Sequence, residues 1–497
     1  MTRLNSKTLS NLSDAVARPT YDRQALSQGI VHLGVGAFHR AHQAVYCDDV
    51  LAAGDPRWGI KGVSLRSPDM RDALDPQDGL YTMCVRSGEG DQARVIGALG
   101  DILVAPEDPQ KVIAALAAPE TRIVSMTVTE KGYCHDPASG DLAETHPDID
   151  HDLQNPHQPK SMPGFLVEAI RRRRDLGLPQ ATILSCDNLP SNGKTAKKIL
   201  TQFAMLRDPD LGKFVEDEIS CPSTMVDRIV PATTEADRET IDTILGVRDA
   251  WPVVGEPFTQ WVVEDAFTNG RPGWDAHGVQ FVSDVEPYEL MKLRLLNGAH
   301  SAIAYLGYLA GLETVSDAVK VPAMATFARG LMDREATPTL PILPDIDLEA
   351  YKSALLERFA NPALKHRTWQ IAMDGSQKLP QRLLGTIRDR LATNQPFGLA
   401  ALAVAGWMRY ATGQDEAGQA IDVRDPLSGS FHDIHNRVGL DPAALVGEYT
   451  KIREIFGDDL PKDAQFVQAV TKALQGLVED GASRSVEQAV ALLESSH

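Results

Sequence analysis

Through the first half of the chain, short β-rich runs bounded by glycine alternate with stretches whose apolar residues recur every three or four positions. Residues 30–33 form such a run, stopped by Gly34; 38–52 has helical spacing and ends before Gly54; 59–65 reads as the next strand. This strand–helix–strand opening predicts a parallel sheet covered by helices. Further strands are expected at 122–129, 181–185 and 258–263, with helices at 110–117, 164–174 and 195–206. From Pro287 onward the β-branched alternation fades, and helical patterns cover 288–309, 318–333, 348–359, 399–411 and 464–477. The proline-rich stretch 338–344 reads as a loop between helices. The expected organisation is an α/β domain over 1–286 and a mainly α-helical substrate-binding and catalytic domain over 287–497, with no internal repeat or low-complexity tract.

Three polar residues interrupt the first helix of the second domain, in Glu289-Leu-Met-Lys292-Leu-Arg294-Leu-Leu-Asn297-Gly-Ala-His300. At about 100° per residue, Lys292, Asn297 and His300 span an arc of roughly 140° over about 12 Å of α-helix. One helix face then offers a base, an amide donor and a further polar contact to a small molecule. The competing reading has Lys292 snorkelling to solvent while Asn297 and His300 fill a helix contact.

Composition narrows the classes of partner. A chain of 497 residues exceeds one ordinary core. Its 49 basic against 68 acidic residues give a formal charge of −19, which argues against nucleic acid or an anionic membrane. An anionic substrate therefore requires a basic cluster set against the overall field. The five cysteines form no Cys-x-x-Cys pair and suggest neither a disulfide framework nor a zinc site, in keeping with a reducing cytoplasm. The N-terminus lacks a signal-like apolar core, and no apolar run approaches the ~20 residues of a membrane span. A soluble monomer or small homo-oligomer is expected.

Gly34-Val-Gly36-Ala-Phe38-His39 lies where a dinucleotide fingerprint belongs, after the first strand and at the start of a helix. Gly34 allows the tight turn, and Gly36 lets backbone approach a pyrophosphate at the helix N-terminus. His39 replaces the usual third glycine. Glycine at a strand-to-helix turn also has a purely steric explanation. Past the second strand, Asp69 suits the ribose hydroxyls of NAD, whereas Arg66 suits the 2′-phosphate of NADP; the balance favours NAD. His39 and His42 have no acidic or cysteine partner at ligand spacing, so no metal is expected.

Four segments in order, Gly34–Gln43, Ser185-Cys-Asp-Asn188-Leu-Pro-Ser-Asn192-Gly193, Met225-Val-Asp227-Arg228-Ile-Val-Pro231 and Lys292-x4-Asn297-x2-His300, resemble the polyol-specific long-chain dehydrogenases, the mannitol dehydrogenase family. The resemblance implies a Rossmann-type N-terminal domain, a helical C-terminal domain and metal-independent hydride transfer between NAD(P) and a secondary alcohol. On matching positions it implies Lys292 as general base, Asn188 and Asn297 as donors to the developing alkoxide, His300 as a substrate contact, Asp227 beside the site and Glu289 as an aid to proton passage. The chemistry is coherent, since hydride loss from an alcohol also requires proton loss, and two amides can stabilise the oxyanion. Asn188 as a plain turn residue and Asp227-Arg228 as a local salt bridge are the structural alternatives.

Within that family the chain is similar to the fructuronate reductases at Thr129-Glu-Lys131-Gly-Tyr-Cys134, Lys292-Leu-Arg294 and His366-Arg367-Thr-Trp-Gln370 through Lys378-Leu-Pro-Gln-Arg382. Mannitol enzymes tend to carry glycine at Lys131 and arginine at Gln370. A uronate carboxylate needs an arginine or lysine in the pocket, so Arg367, Lys378 and Lys131 are the candidate clamp. Arg294, about 200° around an α-helix from Lys292, is weaker. The resemblance thus implies interconversion of D-fructuronate and D-mannonate, with mannitol or another polyol, or altronate, as rival substrates. A noncatalytic NAD-binding regulator is the alternative of another class, and the combined base and oxyanion donors argue against it.

Overall fold

In the computed structural model, which describes residues 1–136, 139–343 and 346–494, the run Ile30–Leu33 is strand β1, buried at every position. A strand covered on both faces reads as such a continuous run. Ile60–Ser64 (β2), Leu99–Val104 (β3), Ile123–Met126 (β4) and Thr182–Ser185 (β5) join it in a five-stranded sheet, every pair parallel, in the order β3-β2-β1-β4-β5. The order reverses beside β1, so the C-terminal ends of β1 and β4 flank the crevice where doubly wound sheets bind ligands. Helices Pro109–Ala117, Met162–Asp175 and Asn192–Arg207 supply apolar residues to a core against this sheet.

Local chemistry shifts several expected boundaries. The helix expected over 38–52 is two, Ala37–Ala41 and Gln43–Ala52, because His42 leaves helical geometry (φ −127°, ψ −92°) as its Nε2 meets the Gln260 carbonyl at 3.2 Å. The strand expected over 122–129 stops at Met126, since the Asp187 carboxylate takes the N–H groups of Val128 (3.1 Å) and Thr129 (2.8 Å) that a ladder would use. Thr129 has φ +62° and begins a short helix to Gly132. The parallel strand β3 and the hairpin of Tyr81–Ser87 with Gly90–Ile96 carry too little alternation to be read from sequence.

The chain divides into two compact units, Met1–Glu286 and Pro287–His497. The second is helical. Its helix Gly398–Ala411 is buried along almost its whole length and packs on Gly298–Leu309 and Ala464–Glu494. The expected helix over 318–333 is interrupted at Val321, held extended (ψ 115°) before Pro322, as steric conflict with the proline ring demands. Of the proline-rich loop, position 344 lies outside the described residues. The last helix runs on past Leu477 to Glu494, broken at Gly481.

Three segments of this unit are π-helical rather than α-helical: Lys292–Asn297, Leu331–Ala336 and Pro380–Leu384. The first packs against both others. Single π turns within α-helices concentrate at functional sites. Among the described residues no helix is long and apolar enough to cross a membrane, and all five cysteines are free.

Glu335, in the second π turn, is buried and accepts the N–H groups of Leu399 (2.9 Å) and Ala400 (2.8 Å) at the start of helix Gly398–Ala411. Burial raises its carboxyl to about 7, against the opposing pull of those two N–H groups. The folded state therefore holds a proton that the unfolded chain releases near pH 4.5, and this group's contribution to stability falls as pH rises from there through about 7. Glu335→Gln removes the titration. Chemical denaturation at pH 5 and pH 8 should show the stability difference moving in favour of the glutamine variant by on the order of 2 kcal/mol.

Candidate active site

In the first unit, the candidate site is the crevice at β1 and β4. Gly34 follows β1 with φ +93°, and a Cβ there would lie 2.2 Å from the Thr127 carbonyl oxygen at the end of β4. Only glycine fits. Gly36 is exposed and caps helix Ala37–Ala41 with no side-chain hydrogen bond, and a Cβ there meets nothing closer than the Gly34 carbonyl at 4.0 Å. The helix N-terminus and the space before it thus suit an anion that backbone N–H groups can approach. These features fit the pyrophosphate of NAD. Phe38 is half-buried and stacks on His42, ring centroids 5.0 Å apart.

His39, expected among the cofactor contacts, instead turns into the interior. It is 1% exposed and stacks on His32 at 3.4 Å, where burial depresses both imidazoles, His32 to about 3. A neutral ring fills the space beneath the turn. Arg66 and Asp69 stand exposed beyond β2, with Asp69 accepting from Ser67 Oγ at 2.9 Å. Among the described residues no three His, Cys, Asp or Glu side chains gather as a metal site.

Asn188 is exposed in the bend after β5, at the same edge of the sheet. Its neighbours build the cradle. Asp187 receives Tyr133 Oη (2.9 Å) besides the two N–H groups after β4, joining the loop that carries Lys131 to the one that carries Asn188. Asn192 donates to the Asp187 and Thr224 carbonyls (both 2.9 Å) and accepts from Thr224 N–H (2.9 Å). Gly193 packs where a Cβ would lie 2.4 Å from the Cys221 carbonyl oxygen. Lys131 itself is exposed. Asp227 is buried at the end of strand Thr224–Asp227. The Arg228 guanidinium donates to the Ala41 (2.6 Å) and Glu256 (2.9 and 3.1 Å) carbonyls, bracing the helix that follows the glycine turn.

In the second unit, Glu289, Lys292, Asn297 and His300 are all buried along one continuous helical run, Glu286–Leu309. The α-helical projection used above does not hold through it. The Gly298 N–H bonds to the Leu293 carbonyl, five residues back, so each turn from 292 to 297 holds one extra residue. Residues i and i+5 then stand roughly where i and i+4 stand in an α-helix, which shrinks the arc between Lys292 and Asn297 from about 140° to about 40°. The base and the amide lie nearly in line. Asn297 Nδ2 and His300 Nε2 are buried with no hydrogen-bond partner among the described residues, each at a cost of about 1–3 kcal/mol unless a ligand supplies one.

His300 stacks on Phe359 (5.1 Å) and meets His366 edge-on (4.9 Å). Burial drives its imidazole well below the ordinary histidine value, reinforced by His366, Arg382, Arg358 and Lys378. His366 is likewise lowered to about 4, by burial and then Lys378. Of the three cations, Arg382, Arg358 and Lys378, only Lys378 was among the expected clamp residues. Lys378 donates to the Met373 (2.6 Å) and Ile371 (3.3 Å) carbonyls.

Arg367 does not behave as the expected clamp. It is the N-cap of helix Thr368–Ala372, its carbonyl accepting the N–H groups of Gln370 (3.1 Å) and Ile371 (3.3 Å), and its side chain is 60% exposed with Nε 3.7 Å from Glu313. Arg294 turns away to Asp389 (2.6 Å) and the Thr339 carbonyl (2.9 Å). Arg358 was not among the expected site residues, and Arg382 stood only at the end of a resembling segment, because nothing in their local spacing links them to residue 300.

Comparison with known proteins bears on both units. The family model for the mannitol dehydrogenase Rossmann domain matches residues 28–276, and that for the mannitol dehydrogenase C-terminal domain matches 284–478. The D-mannonate oxidoreductase of Escherichia coli is 50% identical over 477 residues, 95% of this chain and 97% of that protein. Mannitol dehydrogenase 2 of Saccharomyces cerevisiae is 41% identical, covering 98% of this chain and 97% of its own length. The structure of Pseudomonas fluorescens mannitol 2-dehydrogenase, a ternary complex with NAD and D-mannitol, superposes with a TM-score of 0.89 at 41% identity, over 99% of this chain and 100% of that one.

The two glycines of the turn should separate in experiment. Gly34→Ala forces a backbone clash and should lower stability by more than about 2 kcal/mol. Gly36→Ala adds a methyl into open space and should leave the melting temperature within a degree or two while weakening NADH binding about tenfold or more, read by nucleotide fluorescence. Undiminished NADH affinity in Gly36→Ala would remove the pyrophosphate from this turn.

Proposed function

The chain is an oxidoreductase of the mannitol dehydrogenase family, and we propose that it interconverts D-fructuronate and D-mannonate with NAD as the hydride carrier. The observation that carries the sugar-acid reading is the set of three cations, Arg382, Arg358 and Lys378, whose field acts on His300 in a chain of net charge −19. A carboxylate-bearing substrate would pair with Arg382, which no carboxylate among the described residues neutralises, whereas a hexitol brings no charge to it. The 50% identity to D-mannonate oxidoreductase supports the same choice.

NAD, held at the turn of Gly34 and Gly36, would supply the hydride acceptor. In the oxidation direction Lys292, unprotonated, takes the hydroxyl proton, and Glu289, buried three residues earlier, passes it on. Asn297, whose amide nitrogen is unpartnered, donates to the oxygen as it gains charge, with Asn188 assigned the second donor by family likeness. His300 keeps its imidazole neutral and serves as a hydrogen-bonding contact. By the same likeness Asp227 adjoins the substrate and Lys131 is a further candidate cation.

A neutral polyol is the second reading, favoured by the 41% identity to mannitol dehydrogenases and by the TM-score of 0.89. A panel of D-fructuronate, D-tagaturonate and D-fructose with NADH and NADPH decides: fructuronate reduced with NADH at the highest kcat/KM is expected, and efficient fructose reduction with inert fructuronate refutes the sugar-acid reading. Lys292→Ala should lower kcat by about 1,000-fold or more with NADH binding intact. Retained turnover would exclude Lys292 as the base.

A further inference from the structure

We propose that Arg382 is the residue that selects a sugar acid over a neutral sugar, holding the substrate carboxylate through the guanidinium N–H groups that Ser301 does not engage. This rests on the sugar-acid reading above.

Arg382 lies in the π turn Pro380–Leu384, which packs directly against the π turn Lys292–Asn297. A Cβ on Gly298 would sit 2.9 Å from the Arg382 carbonyl oxygen, so glycine at 298 is what brings the two turns this close. Its Nη1 donates to Ser301 Oγ at 3.1 Å, and Ser301 follows His300 on the same helix. That hydroxyl is uncharged. Among the described residues no carboxylate pairs with Arg382 and no backbone carbonyl receives it.

Three other arginines are differently placed. Arg173 donates to the carbonyls of Pro179 and Ala118, Arg228 to those of Ala41 and Glu256, and Arg409 to those of Gln414 and Asp415. Each is consumed in bracing backbone. Arg382 spends one bond on a serine and keeps the rest of a planar, bidentate donor set beside two unpartnered donors, Asn297 Nδ2 and His300 Nε2. Burial lowers its pKa only to about 10, so it remains charged at neutral pH.

The competing cations are less suited. Arg367 is exposed beside Glu313, and Lys378 already donates to two carbonyls at the end of helix Thr368–Ala372. Lys378 then contributes field and Arg382 the direct contact. A carboxylate gains a charge-assisted pair there that a hydroxymethyl group cannot match.

The test is the ratio of kcat/KM for D-fructuronate to that for D-fructose, both with NADH, in the wild type, Arg382→Gln and Arg367→Ala. Arg382→Gln should lower the ratio about 100-fold, chiefly through KM for fructuronate. Arg367→Ala should move it less than about threefold, as expected of an exposed cation. Equal losses on both substrates in Arg382→Gln, with native melting temperature and NADH affinity, would overturn the assignment while leaving the sugar-acid reading intact, as would a ratio that moves only in Arg367→Ala. A wild type that prefers fructose would end both. If Arg382→Gln melts early, Arg382→Lys keeps the charge without the fork and should still lower the ratio, by about tenfold; an unchanged ratio there counts against bidentate recognition.

Discussion

The Gly298 N–H reaches back five residues to the Leu293 carbonyl, and the arrangement of polar groups in the second unit depends on that one lengthened turn. In an unbroken α-helix, Lys292 and Asn297 would diverge by about 140°, and one of them would face packed side chains. The extra residue brings them near alignment and leaves Arg294 to Asp389, away from both. It also sets the approach of a neighbour, since the helix resumes at Gly298 against the Arg382 backbone. A local departure from regular hydrogen bonding thereby organises side chains on two separate segments.

Much of the scaffold was legible from periodicity. The span of β1, the positions of β2, β4 and β5 and the change to helices after Pro287 follow from burial pattern and glycine placement. What periodicity misses is competition by side chains for backbone groups. Asp187 ends β4 early, and His42 splits a helix by meeting the Gln260 carbonyl; neither effect has a signature in hydrophobic spacing. The π turns are hidden for a similar reason, because a single inserted residue looks like ordinary helical sequence.

The candidate site was legible unevenly. Lys292, Asn297 and His300 stood out as polar residues in an apolar helix, and the burial of all three, with unpartnered nitrogens on Asn297 and His300, gives that oddity a physical meaning. His39 was misplaced because a fingerprint position invites a cofactor role, whereas the fold uses its ring to fill space beside His32. Arg367 drew attention as a cation within a recognisable motif, and the fold leaves its side chain at the surface beside Glu313. Arg382 and Arg358 reach His300 only through tertiary packing, which linear spacing does not encode.

The stretch Ser185–Gly193 has a wider consequence. Asp187 ties down one loop, Asn192 clamps Thr224, and Gly193 admits the Cys221 carbonyl, so three of the named positions of this stretch hold the bend together. Most of what makes this signature recognisable is therefore joinery. Ancestry preserves such joinery whatever molecule the descendants come to process, so a pattern search keyed to it retrieves kin and is silent about diet.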